Sequence, residues 1–182
     1  MEHMGVVDGM DRMRLIKASI ELLSRTNALI YIDIGNPKWL STNKAVSYLE
    51  LCDVHKVKGF ALNTSNYYAT STCYEYGKKI SKRLNNKHFV IDTSRNGNGA
   101  NSEHFNPYGR SIGESPTTNT CDDLVDAYLW IKVPGESDGK VNGGPKAGRF
   151  SHHLALDLIH NKKWKKVKKT LDSYWFSSYI PV

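Results

Sequence analysis

The run ALIYIDIG, residues 28–35, is rich in β-branched side chains and closed by a glycine. Such a run reads as a short buried strand. Just before it, MDRMRLIKASIELLSR (10–25) places Met10, Met13, Leu15, Ile16, Ile20, Leu22 and Leu23 at helical spacing. That spacing predicts an amphipathic helix. Three further runs have strand character: KGFALN (58–63), KHFVIDTS (87–94) and DAYLWIK (126–132). Helices are expected from a cap at Thr42 or Asn43 to about Cys52, from about Thr70 to Leu84, and across RFSHHLALDLIHN (149–161). Strands alternating with helices imply right-handed βαβ units, hence an α/β fold with parallel strands. No segment recurs at a fixed period, so a solenoid is not expected.

A chain of 182 residues is long enough for one domain with its own core. No apolar run approaches the ~18 residues of a membrane span. The N-terminus, MEHMGVVDGMDRMRLIK, lacks the apolar core of a signal peptide, so the chain as written is expected to stay where it is made. Cys52, Cys73 and Cys121 lie far apart, are odd in number and form no CxxC. Neither a disulfide framework nor a metal site follows from them. The net charge of +7 is local, because KKWKKVKK (162–169) holds six lysines. Without those six, 19 Lys and Arg face 18 Asp and Glu. A nucleic-acid surface over the body is thus not expected. The basic, aromatic tail 162–182 reads as a solvated end, or as a contact for an acidic partner.

Two connections are long, polar and glycine-rich, 95–125 and 133–148, and both follow strands. Loops at the carboxyl ends of parallel strands are where barrels and open sheets build their sites. Polar residues gather at these ends: Asp33, Asn63, Asp92, Arg95 and Lys132. VPGESDG (133–139) adds Glu136 and Asp138, held between glycines. Cations near Asp138 would keep it ionised. Two readings stand side by side at this point, a working site and a structural ion-pair network. Trp39, in GNPKWLS after the first strand, is either a platform for a sugar ring or a side chain packed under a neighbouring loop.

Seven segments then fall in one order: YIDIGNPKWL (31–40), GFALNTSNY (59–67), VIDTSRNGNG (90–99), NPYGRSIG (106–113), PTTNT (116–120), DAYLWIKVPGESDG (126–139) and GGPKAGRF (143–150). Together they resemble the C-terminal part of glycoside hydrolase family 6, the inverting cellulases. The resemblance covers roughly residues 28–161, and residues 1–161 are expected to form the C-terminal part of that catalytic barrel. It implies a partial, distorted, TIM-like β/α barrel of about four strand–helix units, and a β-1,4-glucan or cellooligosaccharide substrate. It implies Asp138 as the catalytic base, acting directly or through a water chain, with Arg95 and Lys132 as its paired cations and Asp92 as a supporting carboxylate. It further implies Trp39, Asn63, Lys132 and Glu136 as substrate contacts. No metal or organic cofactor is implied, nor a nucleic-acid or membrane partner. The family implies a secreted, monomeric parent enzyme.

An inverting hydrolase also needs an acid for the leaving oxygen, standing ~6.5–9.5 Å from the base. The family carries its acid in a PDRDC-like loop and a supporting aspartate in an EPD-like strand end. Neither motif occurs in these 182 residues. The expectation is therefore a chain that carries the base side of the site and lacks the acid segment, with open sheet edges. A carbohydrate-binding remnant without turnover is the alternative. Where the family has Trp-Cys before NPYGR, this chain has His104 and Phe105, and Lys140, Val141 and Asn142 stand where a second cysteine is usual. The resemblance thus implies a lost disulfide, replaced by apolar contact. Asn36 replaces a histidine that contacts sugar in the family.

Overall fold

The computed structural model describes residues 9–161, so the lysine-rich tail lies outside the described residues. Helix α1 (Gly9–Leu23) leads into strand β1 (Tyr31–Asp33), followed by α2 (Thr42–Leu51), a 3-10 turn (Val54–Lys56) and β2 (Gly59–Leu62). Helix α3 (Thr70–Arg83), β3 (His88–Asp92), β4 (Val125–Leu129) and α4 (His152–His160) complete the order. The four strands form one parallel sheet in the order β1-β2-β3-β4. This is the parallel α/β arrangement expected from the alternation. No helix connects β3 to β4, and 93–124 runs as irregular chain instead. Its antiparallel bridge from Thr117 to Tyr128 covers part of the outer side of β4. No described helix is long and apolar enough to cross a membrane.

Two local expectations shift. The cap of α2 is Ser41, whose hydroxyl accepts from the Lys44 N–H, so the helix begins at Thr42 rather than being capped by it or by Asn43. The fourth strand ends at Leu129 because Lys132 N–H leaves the ladder to bond the Asp92 carboxylate.

Period-2 alternation sorts the strands into two faces. Phe60, Leu62, Phe89, Ile91 and Val125 point to the helix-covered face, where they pack with Ala45, Val46 and Leu49 of α2 and Cys73, Tyr76 and Ile80 of α3. The Phe60 and Phe89 rings stack there at 5.2 Å. The other face carries a small cluster, Ala61, Val90 and Ala127, flanked by Tyr31 and Leu129.

One irregularity shapes that second face. Phe89 pairs with Val125, but Val90 pairs with Ala127, so Asp126 is the extra residue of a β-bulge. A bulge re-aims a side chain and increases local twist. Here Asp126 meets Tyr31 Oη at 2.6 Å, His88 Nδ1 at 2.7 Å and Lys58 Nζ at 3.6 Å. Burial pushes the Asp126 carboxyl up, but Tyr31, His88 and Lys58 outweigh it and hold it below its usual range. Tyr31 and Asp126 sit on opposite edge strands, which a flat sheet would hold roughly 14 Å apart with parallel side chains. Their contact requires a curved sheet with this face concave.

Gly59 makes room for it. A Cβ at Gly59 would lie 3.3 Å from the Tyr31 ring and 2.0 Å from the His88 carbonyl oxygen. Backbone cannot step aside as a side-chain tip does. Gly59→Ala is expected to destabilise the chain by about 3 kcal/mol, measured as a lower urea midpoint. A midpoint unchanged from the parent would contradict the close approach of β2 and β3.

Candidate active site

The carboxyl ends of β1 to β4 lie at one end of the sheet, as parallel strands require. Asp92, the last residue of β3, is wholly buried. Its Oδ1 accepts from Ser94 N–H at 2.9 Å, and its Oδ2 from Ser65 N–H at 2.9 Å and Lys132 N–H at 3.0 Å. One carboxylate therefore fastens the chain leaving β2, β3 and β4.

Three residues later, Arg95 is 4% exposed. Its Nη1 donates to Asp138 Oδ1 at 3.0 Å and Oδ2 at 2.8 Å, and its Nη2 donates to the Ser65 carbonyl at 2.6 Å. Lys132 Nζ bonds Glu136 Oε1 at 2.8 Å and stands 3.6 Å from Asp138 Oδ1. The two carboxylates of VPGESDG thus share one lysine. Gly135, between them and β4, has φ +91°, and a Cβ there would strike Ala155 of α4 at 2.7 Å. Only glycine lets this turn lie against α4 while presenting both acids.

Asn106 fixes the base of the turn. Its Oδ1 accepts from Asp138 N–H at 2.8 Å, its own N–H donates to Asp138 Oδ2 at 3.1 Å, and its Nδ2 reaches the carbonyls of Gly139 and Val141. Tyr67 Oη donates to Asp138 Oδ2 at 2.8 Å. Burial pushes the Asp138 carboxyl up, but the Arg95 hydrogen bond and charge, with Asn106 N–H and Tyr67, outweigh it. Asp138 is therefore held ionised below the usual carboxylate range.

A cleft of about 750 Å³ opens over these groups, lined among others by Trp39, Tyr67, Phe105, Lys132, Glu136 and Asp138. Trp39 is 63% exposed, while its ring lies over Gly35, whose added Cβ would meet it at 2.4 Å. The indole is thus seated on one side and free on the other.

The structure brings Arg95, Lys132, Glu136 and Asp138 together and puts Trp39 on the same cleft. It corrects the sugar contact expected at Asn63. That side chain is wholly buried, and its amide bonds the Tyr68 carbonyl, the Asp92 carbonyl and the Tyr68 N–H. Asn63 holds the loop in place and exposes no polar atom to the cleft. The expected replacement of a disulfide by apolar contact is also corrected. Phe105 and Val141 are both exposed, and the two segments are joined by hydrogen bonds from Asn142 Nδ2 to the Phe105 carbonyl and from Asn106 Nδ2 to the Val141 carbonyl. Asn36 is buried against Asn66. Sequence reasoning missed Tyr67 and Asn106, although NTSNY and NPYGR sit in the two loops that face Asp138. Among the described residues no group of His, Cys, Asp and Glu is arranged to hold a metal ion.

The chain resembles known proteins by family, by sequence and by structure. The model for glycosyl hydrolases family 6 matches residues 8–162. Endoglucanase A of Cellulomonas fimi is 47% identical over 154 residues, covering 85% of this chain and 34% of that protein. A probable 1,4-beta-D-glucan cellobiohydrolase C of Neosartorya fischeri is 30% identical over 173 residues. Among solved structures, the endoglucanase Cel6 of Mycobacterium tuberculosis, in complex with methyl-cellobiosyl-4-deoxy-4-thio-beta-D-cellobioside, superposes with a TM-score of 0.79 at 44% identity. That match covers 83% of this chain and 54% of the other. A family 6 enzyme of Orpinomyces gives a TM-score of 0.76 at 25% identity. The chain spans about a third of the Cellulomonas protein and about half of the Mycobacterium chain.

Proposed function

Since the chain belongs to glycosyl hydrolases family 6, we propose that it carries the base side of a site that hydrolyses β-1,4-glucosidic bonds in cellulose or β-glucan with inversion. One observation carries the reading: a carboxylate held ionised by a buried arginine at the floor of a cleft whose wall is an exposed tryptophan. Asp138 removes a proton from the attacking water. Trp39 stacks on a glucose ring, and Lys132 with Glu136 bonds sugar hydroxyls. Asp92 and Asn63 hold the loops that carry these groups. The acid that protonates the leaving oxygen is proposed to come from a segment outside these 182 residues, as the missing PDRDC-like and EPD-like motifs suggest. Secretion and a monomeric parent remain part of this reading on family grounds.

The test is cellohexaose hydrolysis followed by proton NMR, with the chain joined to an acid-bearing first half of a family 6 domain. The first product formed should carry an α reducing end. A β product would overturn inversion, and no turnover with retained binding would favour the noncatalytic binding module. Removing the platform gives a separate check. Trp39→Ala is expected to weaken cellotetraose binding about 10–100-fold, the equivalent of ~1.5–3 kcal/mol of aromatic burial. Because the indole is exposed, the melting temperature should stay where it is. Calorimetry that finds equal affinity would place the sugar elsewhere.

A further inference from the structure

The two oxygens of Asp138 are not equivalent. Oδ2 accepts from Arg95 Nη1 at 2.8 Å, Tyr67 Oη at 2.8 Å and Asn106 N–H at 3.1 Å. Among the described residues, Oδ1 accepts only the longer Arg95 contact at 3.0 Å, with Lys132 Nζ at 3.6 Å. A carboxylate oxygen has about two lone-pair sites. Oδ2 is therefore saturated and Oδ1 keeps acceptor capacity.

We propose that Tyr67 is a positioning residue for Asp138: its hydroxyl occupies Oδ2 and leaves Oδ1 as the atom that receives the proton from water in the cleft. This rests on the reading of Asp138 as the base. Tyr67 suits the task because it touches both members of the ion pair. The Arg95 guanidinium lies 4.5 Å from its ring centroid while its hydroxyl meets Asp138. The ring is 6% exposed, so it has little freedom to swing away. Burial pushes its phenol well above the usual range, which keeps the hydroxyl a donor at any working pH.

The backbone around Tyr67 is set for this contact. Asn63 and Ser65 both adopt left-handed conformations, with φ of 67° and 60°. The turn they make aims the Ser65 carbonyl at Arg95 and the Tyr67 side chain at Asp138. The charged and titratable groups facing Asp138 are Arg95 after β3, Lys132 and Glu136 after β4, and Tyr67 after β2. Glu103 and His104 line the same cleft from the 93–124 segment. Of these, Tyr67 alone can be changed by one atom without altering charge.

The experiment uses the full 182-residue chain with 13C-labelled aspartate. The Asp138 carboxyl signal, assigned by its loss in Asp138→Asn, is titrated in the parent and in Tyr67→Phe. The ring and its contact with Arg95 survive, and one hydrogen bond is lost. The expected midpoint rises by about 1 pH unit. Cellotetraose affinity should stay within about twofold, since Oδ2 faces the protein rather than the sugar. Site-specific 3-fluorotyrosine at position 67, a stronger donor, should move the midpoint the other way, and it decides the matter if Tyr67→Phe does not fold. An Asp138 midpoint that ignores both replacements overturns the proposal. If the parent chain binds no cellotetraose, the glucan reading fails instead, and the titration still reports on Tyr67.

Discussion

Asp138→Asn is expected to lower cellohexaose turnover by about 10²–10⁴-fold, the usual worth of a positioned general base. The assay uses the chain joined to an acid-bearing first half. The substitution is nearly isosteric, and the asparagine carbonyl can keep the Oδ2 position that faces Arg95, Tyr67 and Asn106. Its amide then falls at the Oδ1 position, where it offers a proton instead of accepting one. Substrate affinity should change far less than turnover, because Trp39, Lys132 and Glu136 are untouched. An initial rate within about threefold of the parent would remove Asp138 from the base role.

The second large effect concerns stability. Arg95→Met is expected to cost about 3–5 kcal/mol at neutral pH, the range for breaking a buried ion pair by deleting one partner. Asp138 would remain on the cleft floor, its side chain 11% exposed, without the cation whose Nη1 bridges both its oxygens and holds it ionised. The pH dependence gives the idea a sign. In the parent the folded carboxyl titrates below its unfolded value of ~3.9, so its contribution is fully present above that value and is lost as pH falls through the folded pKa. In Arg95→Met, burial is no longer outweighed, and the carboxyl should titrate above ~3.9. As pH falls towards ~3.9, Arg95→Met should recover stability as its raised carboxyl protonates, while the parent keeps its contribution, so the gap between the two chains narrows. Urea melts at pH 7 and pH 4 read this directly. Adding Asp138→Asn to Arg95→Met should recover much of the loss at neutral pH, and additive losses would contradict a coupled pair.

Much of this architecture is legible in the sequence because strands and helices have periods. ALIYIDIG, KGFALN and KHFVIDTS each contain the strand that forms, and each strand ends where polar residues begin. Arg95, Lys132, Glu136 and Asp138 stand out because charge at a strand end needs a partner, and the partners are one another. Asn63 was misread for a physical reason. An amide at a strand end looks the same in sequence whether it faces the cleft or bonds the neighbouring backbone, and here it does the second. Tyr67 and Asn106 sit in loops, where no period says which way a side chain points. The bulge at Asp126 is equally hidden, since DAYLWIK reads as an uninterrupted strand.

That bulge has a mechanical consequence. The contact from Tyr31 to Asp126 works as the tie of an arch, fixing the span between the two outermost strands across the hollow side. A tied arch keeps its curve by its own contact. The spacing of the amino-terminal ends of the outer strands is then set by this one bond, and the opening at the far end of the sheet widens or narrows with it.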